Sequence, residues 1–167
     1  MKRIIFLLPV IALLAISSNS IFAQNKSTAA FEKLKSLNGE WQGRGEGDRQ
    51  VDVSYQIVSG GSVLLETLQG TNEPPMVTLY HTDGDRLMMT HYCSIGNQPR
   101  MAAQAPAGEI KDINFTFVDI TNLTNPSAGH MRGLVFTFQD KDHIRQEWTW
   151  RMDGKDEKTI FNLERKK

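Results

Sequence analysis

Residues 75–101 read PMVTLYHTDGDRLMMTHYCSIGNQPRM. Two runs of alternating character, 76–82 and 85–93, meet at Asp83-Gly84. That dipeptide between such runs is the strongest short-range signal for a β-hairpin. Residues 94–98 turn the chain again, into a third run that starts at Pro99. The stretch also holds two of the chain's four histidines and its only cysteine.

Working outward, the same pattern recurs in both directions. Upstream, Val51, Val53, Tyr55 and Ile57 share one face of a period-2 segment, and Ser59-Gly60-Gly61-Ser62 turns it into a strand over 63–68. Downstream, Phe115 and Phe117 share a face of a strand over 113–120. After a polar loop at 121–129 come strands over 130–139, 142–152 and 157–165, with turns at Asp140-Lys141 and Asp153-Gly154. Regular short strands with hairpin-length connections argue an antiparallel meander. A meander of this many strands loses its unpaired edges only by closing on itself. The expected fold is all-β, an antiparallel up-and-down β-barrel of about ten strands.

One helix precedes the strands. Residues 28–37 place Phe31, Leu34 and Leu37 on a single stripe, with Ser27 or Thr28 as the cap and Asn38-Gly39 as the stop. Then Glu40-Trp41-Gln42-Gly43-Arg44-Gly45 alternates glycine along a strand, which lets another backbone come close.

The first 23 residues are set apart. Met1-Lys2-Arg3 is basic, Ile4 to Ile16 is an apolar run of about 13 residues, and a small, polar stretch ends at Ala23. This is the layout of a secretory signal peptide, and the run is short of the ~20 residues that a membrane-spanning helix needs. The expectation is a cleaved leader over 1–23, one domain over 24–167, and a periplasmic or extracellular location. Without the leader the basic residues fall from 19 to 17 against 19 acidic ones, a formal charge of −2. No basic block supports nucleic-acid binding, and no second apolar span follows. A lone cysteine, Cys93, forms no internal disulfide, so a hydrophobic core must hold the domain. No phosphate-binding glycine loop, nucleophile elbow or haem-attachment motif is present.

Leu37-Asn38-Gly39-Glu40-Trp41-Gln42-Gly43-Arg44-Gly45 resembles the opening of lipocalin-like barrels, including the fatty-acid-binding-protein-like and nitrobindin-like groups. In them a short helix leads to a G-x-W-type first strand and plugs one barrel end under the tryptophan. The late hairpin, Glu147-Trp148-Thr149-Trp150 with Asp153-Gly154, is similar to that of exported bacterial relatives. The resemblance implies a lumen for a small apolar or amphipathic molecule. Nitrobindin-like proteins hold haem through a histidine near the end of the barrel. This chain departs from that pattern, having no histidine after His143.

A two-residue turn at Asp83-Gly84 pairs Tyr80 with Leu87, Thr78 with Met89 and Met76 with His91. One face then carries Met76, Thr78, Tyr80, Leu87, Met89, His91 and Cys93. The other carries Val77, Leu79, His81, Arg86, Met88, Thr90 and Tyr92. The first is the expected lumen side, because it lacks the His81–Arg86 pair. His91 and Cys93 point the same way but stand ~6–7 Å apart along a strand, too far for a hydrogen-bonded nucleophile pair. No third or fourth ligand makes them a metal site.

On the strand over 142–152, His143, Arg145, Glu147, Thr149 and Arg151 share one face, and Ile144, Trp148, Trp150 and Met152 the other. Either the charged face meets water, or an arginine such as Arg145 or Arg100 points inward to fix a carboxylate head-group. The candidate ligand-binding residues are Tyr80, Met89, His91, Cys93, Arg100, Arg145, Glu147 and Trp148. The expected function is binding of a small apolar or amphipathic molecule by a monomer or homodimer, with no metal and no required cofactor. Three alternatives stand beside it: an enzyme of hydrolase or isomerase type using His91, Tyr92 or Glu147 as acid or base, a haem-binding barrel, and a structural barrel with a filled lumen.

Overall fold

The computed structural model describes residues 26–167 apart from 46, 48 and 107, so the leader expected over 1–23 lies outside the described residues. Helix α1 covers residues 26–35. Ten strands follow: β1 (Gly39–Arg44), β2 (Gln50–Val58), β3 (Val63–Gly70), β4 (Met76–Asp83), β5 (Arg86–Tyr92), β6 (Gln98–Gln104), β7 (Asp112–Thr121), β8 (His130–Phe138), β9 (His143–Met152) and β10 (Lys155–Arg165). Each pairs antiparallel with its neighbours in sequence, and β1 pairs with β10, closing an up-and-down barrel. No helix among the described residues is long and apolar enough to cross a membrane.

The alternation of each strand decides what fills the barrel. Val51, Val53 and Tyr55 of β2, Leu64 and Leu68 of β3, Leu87 and Met89 of β5, Met101 and Ala103 of β6, Phe136 of β8 and Leu163 of β10 are all buried in one cluster. Helix α1 closes one end. Its Ala30, Phe31 and Leu34 are buried with Leu37 and Trp41. Ser27 is not a cap as expected: it lies inside the helix, and its Oγ donates to the Gly84 carbonyl at the β4–β5 turn (2.9 Å). The helix thus already includes residues 26 and 27, ahead of the stretch its apolar stripe suggests, and a tertiary partner holds it there.

The glycines of β1 have a steric cause. Beyond Trp41 the inward positions are Gly43 and Gly45, and side chains of β10 occupy that space. A methyl on Gly43 would run into the Asn162 carbonyl oxygen and lie 2.7 Å from Leu163 Cδ2, while one on Gly45 would meet the Phe161 ring at 2.9 Å. Gly43→Ala is therefore expected to cost about 1–3 kcal/mol, the usual penalty of an overpacked core. Chemical denaturation checks this, and an unchanged midpoint would mean that β1 and β10 are free to separate here.

The β4–β5 hairpin forms in a register two residues away from the expected one. Asp83 pairs with Arg86, Tyr80 with Met89 and Thr78 with His91. Gly84 and Asp85 are the turn residues, with Gly84 at φ 62°, and Arg86 clamps Asp83 across the turn (2.7 Å). A slip of two preserves which side chains share a face. The expected lumen face is the buried one: Thr78, Tyr80, Leu87, Met89 and His91 are all buried.

Candidate functional site

At the end opposite α1 the barrel holds an open cavity of about 780 Å3. Its walls come from Leu68, Met76, Met131, Trp148, Trp150 and Phe161, its rim from Arg49, Glu73, Cys93, Ser94, Ile95 and Glu157, and His91 closes its inner part. The size falls within the ~300–1,000 Å3 that small-molecule sites span.

Pairing across the strands builds the inner part of the site. Tyr55 on β2 is level with Glu66 on β3, Glu66 with Thr78 on β4, and Thr78 with His91 on β5. All four residues are buried. They form one polar row across the barrel wall, met from the far side by Gln146 and Trp148 of β9. The Tyr80 hydroxyl donates to Glu66 Oε2 (2.8 Å), and Gln146 Nε2 donates to the same oxygen (3.0 Å) and to the Tyr55 hydroxyl (2.6 Å). Trp148 Nε1 donates to Gln146 Oε1 (2.9 Å), which fixes the amide orientation.

Burial pushes the Glu66 carboxyl up to about 7, against the pull of hydrogen bonds from Tyr80, Tyr55 and Gln146 that favour the carboxylate. Burial, then the nearby Glu66 charge, raises both tyrosine hydroxyls well above their ordinary value, so they remain donors. His91 Nδ1 lies 2.9 Å from Thr78 Oγ1, and its ring packs 4.9 Å from that of Trp148. Burial lowers its pKa to about 4, so at neutral pH the imidazole is uncharged. Two buried atoms of this row, Glu66 Oε1 and His91 Nε2, have no hydrogen-bond partner. An unsatisfied buried polar atom costs about 1–3 kcal/mol.

Of the residues expected at the site, Tyr80, Met89, His91 and Trp148 are together inside the barrel, and Cys93 is on the rim just past the end of β5. Arg100, Arg145 and Glu147 lie on the outer face. Arg100 is held by Asp119 on β7, its Nε 2.6 Å from Oδ1. Arg145 pairs with Glu147 at 2.6 Å, and Lys158 also pairs with Glu147. The strand parity that buries Pro99 and Met101 sends Arg100 outward, and that which buries Ile144 and Trp148 does the same to Arg145 and Glu147. The inward arginine for a head-group is therefore not one of these. Tyr92 is also exposed on the outer face, so neither it nor Glu147 shares the cavity with His91. Among the described residues no cluster of three or more His, Cys, Asp or Glu is placed to hold a metal ion.

Sequence reasoning missed Glu66 and Gln146. Each is a single polar residue on an otherwise apolar inward face, and parity with Leu64 and Leu68, or with Ile144 and Trp148, was the available signal. No protein-family model matches this chain, and no curated protein matches it either.

Proposed function

We propose that this protein is an exported carrier or sensor barrel that binds a small apolar or amphipathic molecule in its lumen. One observation carries the reading: a cavity of about 780 Å3 open at one end and walled by Trp148, Trp150, Phe161, Met76, Met131 and Leu68. A lumen filled by its own side chains would leave no such space. The lipocalin-like opening around Gly39-Glu40-Trp41, with the helix seated under the tryptophan, supports the same reading, as does the leader-like sequence of residues 1–23. The methionines suit a ligand of irregular outline, because their unbranched side chains adapt to it. An acid–base enzyme is less well supported. The histidine at the cavity floor is uncharged at neutral pH, and the Glu66 carboxyl in the same row is hydrogen-bonded to Tyr80 and Gln146 rather than to His91.

The test is native mass spectrometry of the protein purified from its own source. A bound species of a few hundred daltons is expected, released on denaturation. A bare polypeptide mass, together with unchanged tryptophan emission on titration with 1-dodecanol, would sink the proposal.

A further inference from the structure

We infer that the lumen selects an uncharged amphipath carrying a hydroxyl, rejects carboxylates, and meets that hydroxyl with the His91 imidazole. The inference rests on the ligand-binding reading above and specifies the chemistry of the ligand.

The first argument is charge. Among the described residues two cations line the cavity, Arg49 and Lys158. Arg49 is paired with Glu73 at 2.6 Å. Lys158 belongs to the outward face of β10, where its ammonium pairs with Glu147. Glu157 also lines the cavity, and no ion-pair partner for it is found among the described residues. Glu66 lies deeper still, fully buried. A ligand carboxylate entering this space would leave water, find no free cation among the described residues, and approach two acids. Burying an unpaired charge is the most costly way to fill a cavity.

The second argument is the orphaned imidazole nitrogen. His91 closes the inner part of the cavity, and its Nδ1 is committed to Thr78. Its Nε2 is buried and has no hydrogen-bond partner among the described residues. Either tautomer leaves one unmet need there: a lone pair wanting a donor, or an N–H wanting an acceptor. A hydroxyl supplies both, and an ether or a hydrocarbon does not. Reaching Nε2 requires a shift of the His91–Trp148 ring pair, so binding must register in tryptophan emission.

The experiment titrates the full-length protein at pH 7.5 with 1-dodecanol, dodecanoate and dodecylammonium below their micellar concentrations, with tryptophan emission and calorimetry as readouts. The alcohol is expected to bind at least about tenfold more tightly than the carboxylate, the factor that 1.4 kcal/mol gives. Dodecanoate or dodecylammonium binding as tightly as the alcohol overturns the inference and leaves the cavity reading standing. Binding by none of the three removes the cavity reading itself. His91→Phe keeps a ring against Trp148 and removes the nitrogens, so it is expected to lower dodecanol affinity about tenfold, with His91→Gln recovering part of it. The double variant T78V/H91F leaves no hydroxyl stranded on Thr78 and guards against a folding defect. Native dodecanol affinity in H91F and in the double variant would overturn the role given to His91.

Discussion

Trp41→Ala is expected to lower the stability of the barrel by about 3–5 kcal/mol, the range for truncating a large buried aromatic side chain. Trp41 is 0 % exposed. Its indole N–H donates to the Leu37 carbonyl (2.7 Å), in the turn that links α1 to β1. Its ring meets Tyr55 edge-on, with centroids 6.3 Å apart. The Arg165 guanidinium covers it at 4.3 Å and reaches on to the Ser36 and Asn38 carbonyls. The one side chain therefore joins helix, first strand and last strand where the barrel closes. Denaturant titration with an unchanged m value checks the loss. Trp41→Phe keeps most of the apolar area and gives up the hydrogen bond, so about 1–2 kcal/mol is expected there. A loss below 1 kcal/mol for the alanine variant would mean that the helix is not seated by Trp41. The effect also reaches the site, since Tyr55, which packs on Trp41, is one of the hydroxyls that hold Glu66.

The architecture was legible because its determinants are local. Turn residues at 59–62, 83–84, 140–141 and 153–154 cut the chain into runs whose period-2 patterns match the observed strands to within a few residues. Closure followed from the meander, as no other arrangement removes both edges. The hairpin register was misread by two because Asp83 engages Arg86 across the turn, a side-chain preference that the Asp-Gly signal does not contain. The lumen face survived that error because a shift of two residues returns every side chain to its own side.

The site was legible only where hydrophobicity marks it. His91, Tyr80, Met89 and Trp148 sit among apolar neighbours on one face, and the alternation places them inside. Arg100, Arg145 and Glu147 attracted attention as chemistry-bearing residues, yet each alternates with buried neighbours that commit it to the outside. The Glu66 network was not legible, because its members come from distant parts of the chain. Gln146 and Tyr55 are 91 residues apart in sequence and 2.6 Å apart in space. Which inward residue of β9 meets which of β2 depends on the stagger of the whole closed sheet, and no local pattern encodes that.

Glu66→Gln and His91→Phe are expected to tilt the pH dependence of stability in opposite directions. Glu66 has its carboxyl raised from 4.5 to about 7 by burial. Between those values the native state holds a proton that the unfolded chain has released. Stability from this group is therefore fully present below pH 4.5 and is lost as pH rises through about 7. His91 is lowered from 6.5 to about 4 by burial. Between those values the unfolded chain holds the extra proton, so stability from this group is present above pH 6.5 and is lost as pH falls toward 4. Each shift is worth about 3 kcal/mol at 1.36 kcal/mol per pH unit. The two windows overlap between about pH 4.5 and 6.5, where the slopes cancel and the native protein is expected to be nearly indifferent to pH from this pair. Glu66→Gln removes one half of the balance, so the variant should lose about 3 kcal/mol more than the native protein between pH 6.5 and 4. His91→Phe removes the other half, and that variant should gain about as much between pH 7 and 4.5. The surface carboxylates Asp119, Asp140, Glu147 and Asp156, held below their usual range chiefly by hydrogen bonds, act alike in all three proteins and cancel in the difference. Urea denaturation at half-unit steps from pH 4 to 8 separates the three curves. Parallel curves would mean that water reaches Glu66 and His91 in solution, and then neither would sit at the dry floor of a ligand cavity. Opposed slopes would mean that this pair carries no buried charge between about pH 4.5 and 6.5, a condition that suits an uncharged ligand.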